Sequence, residues 1–222
     1  MCGRYTLKET NPEKFTRQYG PFDGLEKPRY NRAPGQAHPV IIDRGNRYIW
    51  TSMQWGSNRS QKNLGGEFFP INARSETVTD KEIFSDSIRQ RRCLIPADGW
   101  FEWQQVESQK YPFYHQLLKP DTFAIGGIWL DTGLDESFAF SILTRSASPE
   151  ILHIHHRAPL IIPRELWASW MQPDINEPEL QEIMKVKQPR IDTFQVSSRV
   201  NSSRNEGPEL LLPSSGKQAL LF

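Results

Sequence analysis

The sequence predicts an α+β fold: a single compact domain of mostly antiparallel β-sheet, with a barrel-like sheet core and a few peripheral helices. Three observations predict it. Short apolar runs typical of strands outnumber helical patterns, most connections are short, and no repeat, linker or low-complexity tract divides the 222 residues. A chain of this length can bury a full core. The domain is expected to span 1–222, with its core at about 2–213 and a short C-terminal tail.

The first part of the chain combines one helix with a hairpin. Asn11 can cap the helix and Pro12 suits its first turn. The two hairpin strands flank a short turn and are expected to pair antiparallel. In chain order, these elements are the helix at about 12–19, a turn-rich stretch at 29–35, strands near 39–42 and 47–55, and a surface loop at 56–70.

The second part begins with a helix and continues mainly as strands. Thr79 to Glu82 has the form of a capping box, and an apolar stripe follows it. After Pro96, short apolar runs separated by turns predict strands. These strands lie near 100–104, 111–118, 123–130 and 138–144, followed by helices near 164–171 and 179–186 and a last strand near 193–197.

Composition and charge exclude some classes of protein and leave others open. The formal net charge of +1 excludes a strongly basic coat but allows a local basic groove, for which Arg89, Arg91 and Arg92 form one candidate cluster. No stretch approaches the ~20 apolar residues of a membrane helix, and the N-terminus has no apolar signal region. We therefore expect a cytoplasmic protein without membrane contact, in which Cys2 and Cys93 are reduced.

Cys2 carries the sharpest chemical signal. Initiator methionine is generally removed before a small residue, which would leave Cys2 with a free α-amine beside its thiol. The ordinary pKa values of these two groups, ~7.7–8.0 and ~8.5, leave a reactive fraction of each deprotonated near neutral pH. Such a 1,2-aminothiol condenses with an aldehyde to an imine, which the thiol closes to a thiazolidine. The alternative is an incidental residue on a frayed terminus.

Two further motifs place polar groups where such chemistry needs them. Asn72 and Arg74 stand two residues apart and share a side if extended; an amide can orient an amine, and a guanidinium can grip a phosphate. Glu102 lies among three aromatic residues, so partial desolvation is expected to raise its pKa and suit it to acid–base work. The alternative for the Asn72–Arg74 motif is a polar turn before a capped helix, and the alternative for Glu102 is an exposed glutamate on a sheet edge.

The segment from His153 to Pro159 gathers three of the five histidines. Zinc is the first hypothesis, with Cys2 as a fourth ligand. However, no second Cys/His pair stands at ligand spacing, and strand alternation would turn His156 away from the other two histidines. We therefore predict no metal and no cofactor. A catalytic histidine beside a phosphate-binding arginine is favoured over a histidine whose hydrogen bonds are all made within a turn.

Together these motifs resemble the SOS-response-associated peptidase (SRAP) family of abasic-site-processing proteins. Each motif is short, but the set recurs in the order of that family across nearly the whole chain, which makes the resemblance specific. The matching segments are 1–5 (MCGRY), 30–35 (YNRAPG), 71–76 (INARSE), 97–103 (ADGWFEW), 154–159 (IHHRAP), 196–201 (VSSRVN) and 205–210 (NEGPEL).

The resemblance implies a compact, mostly β fold with a positively charged groove that senses abasic sites in single-stranded DNA. It implies self-removal of Met1, after which Cys2 forms a thiazolidine crosslink with the ring-opened sugar aldehyde. It also implies reversal of the adduct and a lyase-like strand cleavage by β-elimination. The expected partner is single-stranded DNA containing abasic sites, bound by a monomer that is nucleoid-associated when on DNA.

The resemblance also implies roles for individual residues. Asn72 would hold the Cys2 amine. Glu102 would shuttle protons during sugar ring opening and adduct formation, and His155 would assist imine chemistry, including reversal and cleavage. The backbone phosphates flanking the lesion would be held by Arg4, Arg74 and Arg157.

This sequence departs from the family pattern at two places. Family members carry Trp residues in the loop before the Asn-Ala-Arg motif, where they stack on or wedge apart bases. Residues 56–70 contain no Trp, so only Phe68 and Phe69 could substitute. Ala158 stands where the family commonly has Met, a change expected to alter packing more than chemistry.

Three other functions stay open. An N-terminal-nucleophile cysteine peptidase or amidohydrolase would attack an amide with Cys2, but its usual αββα sandwich needs more helices than the sequence predicts. A non-catalytic module for single-stranded DNA would bind intact and abasic strands alike. A structural zinc protein would contain bound zinc, which metal analysis of the purified chain would detect.

Overall fold

A computed structural model of the chain describes residues 2–20, 27–45, 47–56, 69–132 and 138–214. Within these ranges the strands form two sheets, and short helices lie around them. The strands are β1 (Arg4–Leu7), β2 (Arg29–Arg32), β3 (Ala37–Asp43), β4 (Tyr48–Trp55), β5 (Asn72–Arg74), β6 (Arg92–Ala97), β7 (Gly99–Val106), β8 (Gln109–Leu117), β9 (Phe123–Asp131), β10 (Phe138–Ser146), β11 (Arg157–Pro159), β12 (Ile161–Ile162) and β13 (Ile191–Gln195). The α-helices are α1 (Pro12–Tyr19), α2 (Glu82–Gln90), α3 (Trp167–Met171) and α4 (Glu177–Met184), and 3₁₀ turns lie at Arg164–Leu166, Ser198–Asn201 and Pro208–Leu211.

The larger sheet closes on itself. Its strands follow the order β10-β4-β3-β6-β9, and β9 pairs again with β10, so these five strands form a ring. All pairings in the ring are antiparallel except the parallel contact between β10 and β4. Beyond β4, the short strand β5 runs parallel to β10. The predicted α+β fold with a barrel-like sheet core is therefore confirmed.

The smaller sheet has the order β13-β8-β7-β1-β2, and all its pairings are antiparallel. Arg4 of β1 lies opposite Phe101 of β7, and this is the last pair that joins the two strands at that end within the described residues. The chain that leads into β1 therefore approaches the part of β7 that begins at Glu102. A small apolar cluster that includes Phe101, Tyr114 and Val200 joins this sheet to the segment that follows β13.

Aromatic side chains fill the main core. Trp55 and Phe140 are wholly buried, and their rings stack at 6.2 Å on neighbouring strands of the ring. Trp170 of α3 donates its Nε1 hydrogen to the carbonyl of Cys93 at 3.0 Å, which satisfies the indole as it packs onto β6. Such packing makes the closed sheet a rigid support for β5, β10 and the loop that follows β10.

The arginine cluster at 89–92 is not a free basic patch. Arg92 is buried, and its guanidinium donates to the carbonyls of Ile88 at 2.5 Å and Trp170 at 2.6 Å. Arg91 donates its Nε hydrogen to the Trp129 carbonyl at 3.3 Å. Helix ends leave carbonyls without intrahelical partners, and Arg92 satisfies them at the ends of α2 and α3. Arg92 therefore does not contribute to a basic groove, whereas Arg91 is half-buried and Arg89 is exposed.

Several predicted boundaries changed. Lys81 precedes α2 and makes no side-chain capping bond, so the predicted capping box at Thr79 does not form. Asn176, which the sequence analysis did not single out, caps α4 by accepting from the Glu179 N–H at 2.9 Å. Six further strands were not predicted from local sequence patterns, namely β1, β2, β5, β6, β11 and β12.

No helix in the described ranges has the length and apolar character needed to cross a membrane. The extent of a single domain from 1 to 222 stays a prediction.

Gly99 allows the tight contact between β7 and β8, and we predict that Gly99→Ala destabilises the fold. A Cβ added there would lie 2.0 Å from the Tyr114 hydroxyl, which Thr6 holds at 2.9 Å. The buried ring cannot move aside, so we expect a loss of about 3 kcal/mol in the free energy of unfolding. Urea denaturation measures it, with exposed Ser52→Ala as the control. An unchanged midpoint for Gly99→Ala would contradict this packing argument.

Candidate active site

Cys2 lies wholly buried at the entrance to β1. Its carbonyl accepts a hydrogen bond from Nδ2 of Asn72 at 2.9 Å, and its Sγ lies 3.9 Å from the carbonyl oxygen of Arg4. Burial, and then the negative charge of Glu102, raise the pKa of the Cys2 thiol well above its usual range. The sulfur is therefore kept as a thiol rather than a thiolate in this environment.

The strand β5 brings Asn72 to Cys2. Asn72 lies beside Ile142 of β10 and Arg74 beside Thr144, so the segment is extended and is not the polar turn that the sequence analysis left as the alternative. The Oδ1 atom of Asn72 is buried and makes no hydrogen bond within the described residues. Since Nδ2 already binds the Cys2 carbonyl, this oxygen is the acceptor available to an amine on the same residue.

Glu102 and His155 form the second half of the site. Nδ1 of His155 lies 3.8 Å from Oε1 of Glu102. Glu102 is only 3% exposed, and burial raises its pKa to about 7, as predicted from its aromatic neighbours. Burial also lowers the pKa of His155 to about 4. At neutral pH the carboxyl therefore exists in both protonation states, whereas the imidazole is neutral.

The segment containing the histidines is a series of turns, not a strand, up to the start of β11. Strand alternation therefore does not apply, and the rings of His155 and His156 stack at 4.4 Å instead of facing opposite ways. Gln104 of β7 donates its side-chain amide to the His153 carbonyl at 3.1 Å, which ties the turns to the smaller sheet. Across the described residues, no three His, Cys, Asp or Glu side chains are grouped as metal ligands would be.

The three predicted phosphate-binding arginines differ in accessibility. Arg74 is exposed. Arg4 is half-buried, and its Nη1 donates to the Gly3 carbonyl at 2.7 Å. Arg157 is buried and forms a bidentate ion pair with Glu76, with nitrogen–oxygen distances of 2.8 and 2.7 Å. Of the three guanidiniums, that of Arg74 is therefore the most accessible to DNA.

A cavity of about 460 Å³ opens beside Glu102 and His155. Four further residues line it that the sequence analysis gave no role, namely Trp103, Gln105, Lys110 and Asn201. Trp103 donates its Nε1 hydrogen to Oδ1 of Asn201 at 2.7 Å, which holds the indole at the cavity wall. Trp103 and Asn201 belong to the motifs that carried the resemblance, but only the folded chain brings them together.

Phe69 cannot replace the missing loop tryptophans as a surface for stacking bases. Its side chain is wholly buried, and its ring packs edge-on against Phe84 at 5.7 Å. The expectation that Phe69 could stack on bases was therefore wrong. The other candidate, Phe68, lies outside the described residues.

Comparisons with known proteins agree with the motif set. The family model described as SOS response associated peptidase (SRAP) matches residues 1–203. The abasic site processing protein YoqW of Bacillus subtilis is 31% identical over 95% of this chain and 99% of its own. The abasic site processing protein YedK of Escherichia coli is 30% identical over 96% of this chain and 100% of its own.

Solved structures share the fold. A crystal structure of a Bacteroides thetaiotaomicron protein superposes with a TM-score of 0.79 at 20% identity, covering 96% of this chain and 100% of that one. A phage-related protein from Bordetella bronchiseptica gives a TM-score of 0.72 at 27% identity, covering 88% of this chain and 94% of that one. With a family model that spans most of its length and relatives of at least 30% identity over nearly all of it, this chain belongs to the SRAP family.

Proposed function

We propose that this chain senses abasic sites in single-stranded DNA and captures them as a covalent thiazolidine crosslink to Cys2, after removal of Met1. The supporting observation is that four predicted residues meet at one site: Asn72 binds Cys2, His155 lies beside Glu102, and the charge of Glu102 acts on the Cys2 thiol. Relatives named abasic site processing proteins support the same DNA-processing activity.

The first step on the sugar is ring opening. An abasic deoxyribose is mostly a cyclic hemiacetal, so one proton must leave its anomeric hydroxyl and another must reach its ring oxygen to give the aldehyde. Glu102 is suited to this shuttle because its pKa of about 7 lies near neutral pH. A glutamate with an ordinary pKa would be almost wholly ionised there and would be a poor acid.

Crosslinking then takes two bond-forming steps. The Cys2 amine, oriented by Oδ1 of Asn72, adds to the aldehyde carbon, and loss of one water gives an imine. Sγ of Cys2 adds to the imine carbon, and the thiol proton ends on the ring nitrogen. Burial of the thiol disfavours an early thiolate, which fits a sulfur that acts only after the imine has formed.

Three finer activities belong to the same proposal. Hydrolysis of the bond between Met1 and Cys2 consumes one water and exposes the amine. Reversal of the crosslink reopens the ring to the imine, which water hydrolyses, with His155 assisting as a neutral imidazole. At the imine stage, loss of the proton next to the imine carbon allows β-elimination of the 3′ phosphate, which would cut the strand.

DNA backbone contacts should come chiefly from Arg74 and Arg4, since the Arg157 guanidinium is already paired with Glu76. A lesion without a base has few groups to recognise other than phosphate and sugar, so accessible arginines around an aminothiol suit it. The cavity lined by Trp103 and Lys110 is the space next to the reacting groups that a neighbouring nucleotide can enter. We propose a cytoplasmic monomer that needs no cofactor for these steps.

The test is incubation of the purified full chain with labelled single strands, after mass measurement confirms that it begins at Cys2. A strand with one abasic site should give a heat-stable, slowly migrating band on a denaturing gel. An intact strand and one with a tetrahydrofuran site, which has no aldehyde, should bind but give no such band. Absence of the band with the abasic strand would refute the proposal.

The same assay separates the alternatives. A non-catalytic binding module would bind all three strands equally and crosslink none. An amidohydrolase would cleave an amide without forming any DNA adduct, and it would need a reactive thiolate that burial of Cys2 disfavours.

A further inference from the structure

Glu76 and Arg157 form a close ion pair beside the active site. Both terminal nitrogens of Arg157 bind the Glu76 carboxylate, and Nη2 also donates to the Thr144 carbonyl at 2.7 Å. The Ser146 N–H donates to Oε1 of Glu76 at 3.1 Å. A bidentate pair fixes orientation as well as distance. The turn after β5, the end of β10 and the start of β11 are therefore joined at one point.

Arg157 also orients His155, through its backbone. The Arg157 N–H donates to Nδ1 of His155 at 2.9 Å. A backbone N–H is always a donor, so Nδ1 must carry a lone pair, and the neutral imidazole then has its proton on Nε2. The Arg157 carbonyl lies farther from Nδ1, at 3.3 Å, and could accept only if Nδ1 were protonated.

This tautomer has a consequence for Glu102. Nδ1 of His155 is the ring nitrogen near the carboxyl, 3.8 Å from Oε1. With a lone pair on Nδ1, the imidazole does not donate to the carboxylate from that nitrogen. The proton of the neutral ring is then on Nε2, and we assign the donor role in imine chemistry to that nitrogen. Release of the Arg157 N–H would allow the other tautomer and would let Nδ1 donate to Glu102.

We propose that Glu76 and Arg157 form a positioning pair that holds His155 as its Nε2–H tautomer and fixes its place beside Glu102. The inference rests on the proposed function, because it assigns the pair to the part His155 plays in imine chemistry. It gives Arg157 a positioning role in addition to the phosphate binding that the family resemblance implies. Without DNA the guanidinium is held by Glu76 and supports the His155 segment.

Two variants of the pair and two reference variants separate positioning from phosphate binding. Glu76→Gln removes the charge that holds Arg157 and leaves the shape nearly unchanged. Arg157→Lys keeps a positive charge for phosphate but cannot form the bidentate pair. Ser146→Ala is the matched control, because it removes only the 3.4 Å hydroxyl contact with Glu76. Arg74→Ala serves as the reference for a lost phosphate contact.

The kinetic readout is the single-turnover crosslinking rate at saturating abasic DNA, measured beside the Kd for a tetrahydrofuran strand. Glu76→Gln and Arg157→Lys should slow the rate by about tenfold to a hundredfold through misplacement of His155. Their Kd and its salt dependence should stay near those of the wild type. Arg74→Ala should weaken the Kd and reduce the salt slope by about one.

The spectroscopic readout is the tautomer of each histidine, from isotope-labelled ring nitrogens, with His155→Ala to assign the signal. Wild-type His155 should be the Nε2–H form, and Glu76→Gln should show both forms. His115 and His38 are internal controls for folding. Nδ1 of His115 shares a hydrogen bond with the Thr193 hydroxyl at 2.7 Å, and His38 donates from Nε2 to the Ala33 carbonyl at 2.9 Å. Neither histidine contacts the pair.

The outcomes are distinct. If the wild-type protein forms no adduct, the proposed function is refuted, and the tautomer measurement alone then tests the positioning pair. A wild-type adduct with His155 in the Nδ1–H form, or with unchanged rates in both pair variants, overturns the positioning role. A weaker Kd and lower salt slope with a normal saturated rate would make Arg157 a phosphate ligand instead. If Glu76→Gln does not fold, Arg157→Lys and the wild-type tautomer still decide.

Discussion

Cys2→Ser should abolish the heat-stable adduct, because the serine hydroxyl does not close a stable ring on the imine. The variant keeps the α-amine, so it should still form the reversible imine. Borohydride, which reduces imines to stable amines, should therefore trap the serine variant on abasic DNA. The measurement is the crosslinked fraction on a denaturing gel, with and without borohydride, for Cys2→Ser and for the wild type.

Cys93→Ala is the matched control for Cys2→Ser. Cys93 is also wholly buried, but it lies on β6 in the core and has no part in the site. Its replacement should leave the heat-stable band intact. A chain that retains Met1 or carries an N-terminal tag should form no adduct either with or without borohydride, since it lacks the free amine on Cys2. Robust adduct formation by such a tagged chain would contradict the aminothiol mechanism.

Glu102→Gln should slow crosslinking by about a hundredfold or more, which is the usual contribution of a positioned general acid or base. The glutamine keeps the shape and cannot carry a proton between the sugar oxygens. Non-covalent binding of a tetrahydrofuran strand should change little. The measurement is the single-turnover rate beside that Kd. Equal losses of both would mean that Glu102 has a structural role.

The same substitution should stabilise the protein at high pH. Burial raises the pKa of Glu102 from 4.5 to about 7, so the folded state binds a proton that the unfolded state releases between these values. The stability that the protonated Glu102 carboxyl contributes is therefore fully present below pH 4.5, and it is lost as the pH rises through about 7. At pH 8 Glu102→Gln should gain about 3 kcal/mol in the free energy of unfolding, and at pH 4 almost nothing.

Urea denaturation at the two pH values tests this expectation. Glu107→Gln, on the exposed turn between β7 and β8, is the matched control and should show no such difference. A Glu102→Gln variant that is no more stable than the wild type at pH 8 would mean that the carboxyl is ionised without cost in the folded protein. Its proposed role as a proton shuttle near neutral pH would then lose its physical basis.

The sequence predicted those elements whose local signals agree with their environment. The helix α1 was predicted within its bounds because Asn11 and Pro12 form a cap and a first turn, and Asn11 accepts from the N–H of Glu13 at 2.9 Å. The hairpin of β3 and β4 was predicted because its two apolar runs flank a turn. By contrast, β6 is buried along its whole length, so it shows no alternation that would distinguish it from an apolar helix.

Residue types and their order along the chain indicate the chemistry available to this protein: a cysteine at position 2, an amide, a carboxyl among aromatic residues and a histidine, in the order of the SRAP family. These properties can be read from a linear chain. Which of these groups touch depends on the fold, since β5 and β10 bring Asn72 to Cys2, and the turns after β10 bring His155 to Glu102. The pairing of Arg157 with Glu76 and the burial of Phe69 likewise follow from the fold. Burial and pairing depend on contacts between residues far apart in sequence, and no local pattern encodes them.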